Sequence, residues 1–205
     1  MKRKYLLKRV AIGGAIFGAL ILILLGVMMY CIPVTLTRVD SGLKFANEYN
    51  PDAFLCYAAA YTNQDGSIEG EYRIDGKTYG TPSRKERISL HPTKGMIISG
   101  QWHSDNGFQQ TVLVKAYKAR KFDDNRKRIR RALCTESSTS PCYFIIQSTR
   151  RMTLNEFAEE CRKYCYHAVN LDMGEYAYGW NGKKINSIWA YFTKDKQTNW
   201  ICVYE

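Results

Sequence analysis

The sequence predicts an α+β chain: an N-terminal transmembrane helix followed by a single mixed, β-sheet-rich domain with few helices. Three observations predict it. An uncharged run fills residues 10–32. Many short apolar or alternating segments follow, separated by turn residues. One helix signal stands out among them, opening at Thr153. Many strands with an isolated helix fit the α+β class.

Residues 1–9 carry Lys2, Arg3, Lys4, Lys8 and Arg9 and no acid. The run VAIGGAIFGALILILLGVMMYCI, residues 10–32, is long enough as a helix to span a hydrocarbon core of about 30 Å. A cleaved signal peptide is the competing reading, but its apolar region is shorter and ends in small residues. This run ends in Met28, Met29, Tyr30 and Cys31. The expectation is an uncleaved signal anchor. The basic residues before it place the N-terminus in the cytoplasm and residues 33–205 outside.

Residues 33–52 read as a stalk or first helix, with Ser41 as a cap and Leu43, Phe45 and Ala46 as its apolar positions. Residues 53–205 form the outer domain. AFLCYAAAY (53–61) reads as a buried strand. GSIEGEYRIDGKTYGTPS alternates around an Asp75-Gly76 hairpin turn. Residues 85–102 hold two strands around a turn at Pro92–Gly95, and 109–117 hold another. KARKFDDNRKRIRR (118–131) is the densest basic stretch and has no apolar face wide enough for a helix. It is either a solvated loop or an anion-binding rim. YFIIQS (143–148) is a buried strand. Thr153 to Glu156 form a capping box, and Leu154, Phe157, Ala158, Cys161 and Cys165 share one face of a helix ending near Tyr164. AVNLDM (168–173), WAYFTK (189–194) and WICVYE (200–205) are the last strands.

Net charge is +11, and the first nine residues supply five of it, leaving +6 for the outer domain. That balance favours anionic partners without naming nucleic acid, and no nucleic acid is expected. Six cysteines lie beyond the apolar run: Cys56, Cys134, Cys142, Cys161, Cys165 and Cys202. An oxidising compartment permits disulfides, and Cys134 with Cys142, bracketing a polar loop, is the favoured pair. Cys161 and Cys165 lack a second close Cys or His pair, so no metal is expected. No Gly-rich phosphate loop followed by Lys and no His-Glu-x-x-His is present, and no cofactor is expected. His103, in a turn after Trp102, reads as a surface residue.

Asp172 stands where the strand around Ala168, Val169 and Leu171 ends. Open sheets place their ligands at such margins. A carboxylate there must meet a cation, a hydrogen-bond donor or a substrate; the alternative is an Asp that ties down the next loop through backbone N–H groups.

RIRRALC (128–134), YFIIQSTRRMTLNEFAEEC (143–161) and AVNLDMG (168–174) follow each other in order. Together they resemble the phosphodiester glycosidase family. Its pattern runs Arg-Thr-Ala-apolar-Gly, an apolar strand, then Met-Thr-Leu-x-Glu-Leu-Ala, and closes with Ala-apolar-Asn-Leu-Asp-Gly-Gly-Gly-Ser. AAAYTNQDGSIEG (58–70) resembles the family's upstream Asn-Gly-Gly-Tyr/Phe segment and glycine loop. The likeness spans residues 53–205. It puts Arg130 on the family's Arg and Asn170 and Asp172 on its Asn and Asp. Gly174 keeps one glycine, while Met173, Glu175 and Tyr176 depart from the Gly-Gly-Gly-Ser loop. Arg131 replaces the Thr, and Ala58 the upstream Asn. Glu175 and Tyr176 would crowd the close approach that glycines allow, although Tyr176, Tyr178 and Trp180 offer faces for a sugar ring.

The resemblance implies cleavage of a sugar from a phosphodiester-linked glycan. Asp172, with Asn170, would act at the anomeric centre. Glu69 would be the second carboxylate, with Asp65 and Glu175 as alternatives. Arg130 would bind a phosphate oxygen pair, unless it forms a structural ion pair. Arg131, Gly174, Glu175, Tyr176, Tyr61 and Asp65 complete the implied substrate-binding set. The altered loop and the basic stretch motivate the alternative, a catalytically degenerate module that holds an anionic glycan.

Overall fold

The computed structural model describes residues 34–39, 43–46, 53, 55–139, 142–173, 179–180 and 199–203. The chain divides into two units, Met1–Pro33 and Val34–Glu205. The first lies outside the described residues, and every element named here belongs to the second.

In chain order the strands begin with β1 (Val34–Val39), β2 (Leu43–Ala46), β3 (Leu55–Ala58), β4 (Tyr72–Ile74) and β5 (Lys77–Tyr79). β6 (Glu86–His91), β7 (Gly95–Ser99), β8 (Gly107–Gln110), β9 (Val112–Lys115) and β10 (Lys118–Ala119) come next. β11 (Arg131–Thr135) and β12 (Tyr143–Ser148) precede helix α1 (Leu154–Cys161); β13 (His167–Asn170), β14 (Gly179–Trp180) and β15 (Trp200–Val203) come after it. They form a six-stranded sheet ordered β1-β12-β11-β13-β9-β10, a four-stranded sheet ordered β14-β3-β15-β2 and a five-stranded sheet ordered β5-β4-β8-β6-β7.

The six-stranded sheet is buried on both faces. Leu133, Tyr143, Ile145, Val169 and Leu171 meet Phe45, Tyr57 and Ile201 of the four-stranded sheet and Ile88, Leu90 and Phe108 of the five-stranded one. On the opposite face Ala132, Cys134, Phe144, Ile146 and Val114 pack on Leu154, Phe157, Ala158 and Cys161 of α1. This explains why YFII of β12 reads as an unbroken apolar run rather than an alternating one. The helix begins as its capping box dictates: Glu156 N donates to Thr153 Oγ1, and Glu156 Oε2 accepts from Thr153 N.

The fold class departs from the expectation. The domain is mostly β, not α+β, and its sheets are antiparallel throughout the described pairings, not mixed. Short connections such as Asp75-Gly76 join neighbours as hairpins, whereas parallel strands need long crossovers. The segment read as stalk or helix instead supplies two strands: β1 pairs with β12, and β2 pairs with β15. Alternation of Leu43 and Phe45 outweighed the weak cap at Ser41. Among the described residues no helix is long and apolar enough to cross a membrane. The apolar run 10–32 and the strand expected at 189–194 lie outside the described residues. The stretch 109–117 is not one strand. It breaks at Thr111, where the chain passes from the five-stranded to the six-stranded sheet.

The cysteine pairing is also corrected. Cys56 of β3 and Cys202 of β15 stand opposite each other, with Cα atoms 4.2 Å apart, and are joined by a disulfide. Cys134 holds a buried free thiol beside Cys161 and Cys165. The register Thr135↔Tyr143 carries Cys142 past Cys134 to an exposed position. The disulfide closes a sequence separation of 146 residues. Cys56→Ser combined with Cys202→Ser is expected to cost about 3 kcal/mol, chiefly by releasing the unfolded chain. Urea unfolding of the variant and parent checks this.

His167 on β13 supplies a pH signature. Burial pushes its pKa down to about 4, with Lys115 lowering it further and Glu86 opposing. Its Nδ1 accepts from Ala116 N at 3.3 Å, so the neutral ring is the one the fold needs. The unfolded chain takes up this proton near pH 6.5, the folded chain only near 4. This contribution is therefore complete above pH 6.5 and lost as pH falls towards 4. A melting series from pH 7 to 4 is expected to fall less steeply in His167→Gln than in the parent.

Candidate active site

Three sheets meet where β13 ends. Leu171 N donates to Arg131 O at 2.8 Å, keeping the chain on the six-stranded ladder for one more residue. Asp172 N then donates to Ala59 O at 2.9 Å, beyond the end of β3 in the four-stranded sheet. Asn170 N donates to Thr111 O at the crossing into the five-stranded sheet. Asn199, ahead of β15, ties Ala60 through both backbone groups, accepting from its N at 2.7 Å and donating to its O at 3.2 Å. Residues 59–62 and 170–172 are thus held by ladder ends, not by free loops.

A cleft of about 310 Å³ opens over this junction. Its lining includes Tyr61, Asp124, Arg128, Arg130, Asn170 and Asp172. Asn170 is 2% exposed. Its Nδ2 donates to the Tyr61 hydroxyl at 2.7 Å and to Leu171 O at 3.1 Å, while its buried Oδ1 has no partner among the described residues. Burial, reinforced by the Asp172 charge, pushes the Tyr61 pKa up to about 12. Tyr61 is therefore a phenol at neutral pH, and with its oxygen accepting from Asn170 its own proton is free to point at a ligand.

Arg130 is held in place by backbone. Its Nε donates to Met152 O at 3.2 Å and its Nη2 to Arg126 O at 2.6 Å. Asp124 Oδ2 lies 4.0 Å from Nη2. Asp124 belongs chiefly to Arg126, whose hydrogen bonds at 2.8 and 3.1 Å lower the Asp124 pKa to about 2. Arg130 is thus oriented by backbone carbonyls, with Asp124 at the outer edge of ion-pair distance. Asp172, 5% exposed, acts electrostatically on Tyr61, Lys85 and the buried Arg131. Lys85 Nζ stands 4.2 Å over the Tyr61 ring and 2.9 Å from Glu69 Oε1. The arrangement offers two carboxylates, Asp172 and the Arg126-paired Asp124, one phenol and an amide, with guanidinium groups at the edge. Such a set suits a ligand that carries both hydroxyls and negative oxygens.

The chain shares its fold with the catalytic domain of a zebrafish N-acetylglucosamine-1-phosphodiester alpha-N-acetylglucosaminidase, auto-inhibited by its pro-peptide. The TM-score is 0.57 at 12% identity, over 84% of this chain and 83% of that chain. A hypothetical protein from Synechocystis is similar with a TM-score of 0.50 and 11% identity, over 84% of this chain and 57% of that one. No protein-family model matches the chain, and no curated protein matches it in sequence.

Of the residues singled out in the sequence, Asp172, Asn170, Arg130 and Tyr61 come together in this cleft. Glu69 does not line it. It borders a neighbouring hollow with Asn63, Ser67 and Tyr72, and is ion-paired to Lys85. Asp65 is a turn former: its Oδ1 accepts from Ser67 N at 2.9 Å and Ser67 Oγ at 2.7 Å, which lowers its pKa. Arg131 is fully buried behind the cleft. It stacks 4.2 Å from the Tyr57 ring and donates from Nε and Nη2 to Gln147 Oε1. Gly174, Glu175 and Tyr176 lie outside the described residues.

Lys85 was not singled out, and Asp124, Arg126 and Arg128 entered only as part of the 118–131 stretch read as a solvated loop or an anion-binding rim. For the arginines a signal existed: Arg126, Arg128 and Arg130 alternate, so an extended chain turns them to one side. Nothing local could have pointed to Lys85, because it reaches Tyr61 from 24 positions away only through the meeting of sheets.

Proposed function

We propose that the domain is a hydrolase that cleaves a sugar from a phosphodiester-linked glycan. The observation that carries this reading is one cleft lined together by Asp172, Asn170 and Arg130. Cleavage at an anomeric carbon develops positive charge on the ring and negative charge on the departing oxygen. Asp172 meets the first. Arg130, with Arg128, meets the second. Most glycosidases need a second carboxyl group to protonate a poor leaving group. A phosphate monoester departs as a stable anion, so a cation replaces the acid. This fits a cleft whose other described carboxyl group, Asp124, is held ionised. Tyr61, whose oxygen accepts from Asn170 Nδ2, then supplies a donor to a sugar hydroxyl.

The same reading locates the domain outside the cytoplasm, held at a membrane by its N-terminal segment. The Cys56–Cys202 disulfide supports an oxidising compartment, and the basic residues 2–9 support the orientation. The test is release of free sugar from a sugar-1-phosphate methyl diester. Turnover that disappears in Arg130→Gln and Asp172→Asn supports the reading. Absence of product from the parent at every substrate concentration, with saturable and salt-sensitive binding, would instead establish the glycan-binding module.

A further inference from the structure

We infer that a second anion-binding track leaves the cleft along Arg150 and Arg151, and that the substrate is a polymer with repeating phosphates rather than an isolated diester. This rests on the phosphodiester reading above. Two segments rich in arginine are zipped together at the cleft edge. Arg128 N donates to Met152 O at 3.0 Å and Met152 N to Arg128 O at 2.8 Å. Ser148 N donates to Arg130 O at 2.9 Å, and Arg130 N to Ser148 Oγ at 2.8 Å. The backbone thereby fixes Arg150 and Arg151 beside a segment whose Arg126, Arg128 and Arg130 line the cleft.

Charge compensation along this surface is uneven. Arg126 is paired with Asp124, and Lys127 lies 4.0 Å from Glu156. Arg128, Arg150 and Arg151 are exposed and join no close ion pair among the described residues, and Arg150 shares the Glu156 charge with Lys127 only at longer range. Gathering like charges on one rim is unfavourable unless an anion completes it. One phosphate in the cleft is already served by Arg130 and Arg128. Arg150 and Arg151 do not line the cleft, so they are placed for phosphates further along a chain. Because they are exposed, they bind without a desolvation penalty and lose strength with salt.

The experiment compares the full chain with Arg150→Gln/Arg151→Gln on two probes: a sugar-substituted glycerol-phosphate polymer and a sugar-1-phosphate methyl diester. KM for the polymer is expected to rise about five- to tenfold, with kcat unchanged and the small diester unaffected. Polymer affinity measured by fluorescence anisotropy in an Asp172→Asn background reads the track even if no turnover occurs. That arm separates failure of this inference from failure of the hydrolase reading. Equal polymer affinity with and without the two arginines overturns the track. Tighter binding to phosphatidylglycerol vesicles or to a single-stranded oligonucleotide than to the polymer overturns the assigned ligand.

Discussion

Asp172→Asn is expected to lower kcat/KM for sugar release about a thousandfold, the scale on which a group that stabilises transition-state charge is felt. The amide keeps the carboxylate's shape and removes its charge. Binding of the phosphate group should persist, because Arg130 is oriented by Met152 O and Arg126 O rather than by Asp172. The loss should therefore sit in kcat more than in KM. Stability should also fall, since Asp172 lies within electrostatic reach of the buried Arg131 and of Lys85. Circular dichroism at the assay temperature separates the two effects. A well-folded variant with parental kcat would remove Asp172 from the chemistry.

Arg131→Ala is expected to destabilise the domain by about 3–5 kcal/mol, the usual consequence of removing one member of a buried charged set. Arg131 is 0% exposed. Burial lowers its pKa to about 10, with Tyr57 and Asp172 opposing the fall, so it stays charged at neutral pH. Truncation leaves Gln147 Oε1 without its two guanidinium donors and strips the Tyr57 ring of its cation. Arg131→Lys should recover only part of this, because an ammonium cannot both stack and donate twice to one oxygen. Denaturant unfolding with an unchanged m-value checks it. A loss below about 1 kcal/mol would mean that the buried cation is not a structural centre.

The resemblance that placed Arg131 in a substrate-binding role shows where sequence reasoning ends. Arg130 and Arg131 are adjacent, and a strand sends neighbours to opposite faces. Arg130 turns to the cleft and Arg131 to Tyr57 and Gln147, yet nothing in RIRR says which goes where. Glu69 and Asp65 failed to reach the cleft for a related reason. Both sit on the 61–70 hairpin, where Tyr61 and Thr62 line the cleft, Asn63 and Gly66–Gly70 line the neighbouring hollow, and Asp65 closes the turn on Ser67.

Local chemistry was legible in part. The capping box at Thr153–Glu156, the apolar runs of β12 and β13 and the Asp75-Gly76 turn arise from interactions within a few residues, and these do not wait for the rest of the molecule. The sequence by itself determined those elements and the position of Asp172 just past a buried strand. Only the tertiary structure decided that three antiparallel sheets converge there, that Cys56 pairs with Cys202, and that Lys85 and Arg128 stand beside Tyr61. Such pairings join residues far apart in the chain, and their energies depend on burial and distance that no local pattern encodes.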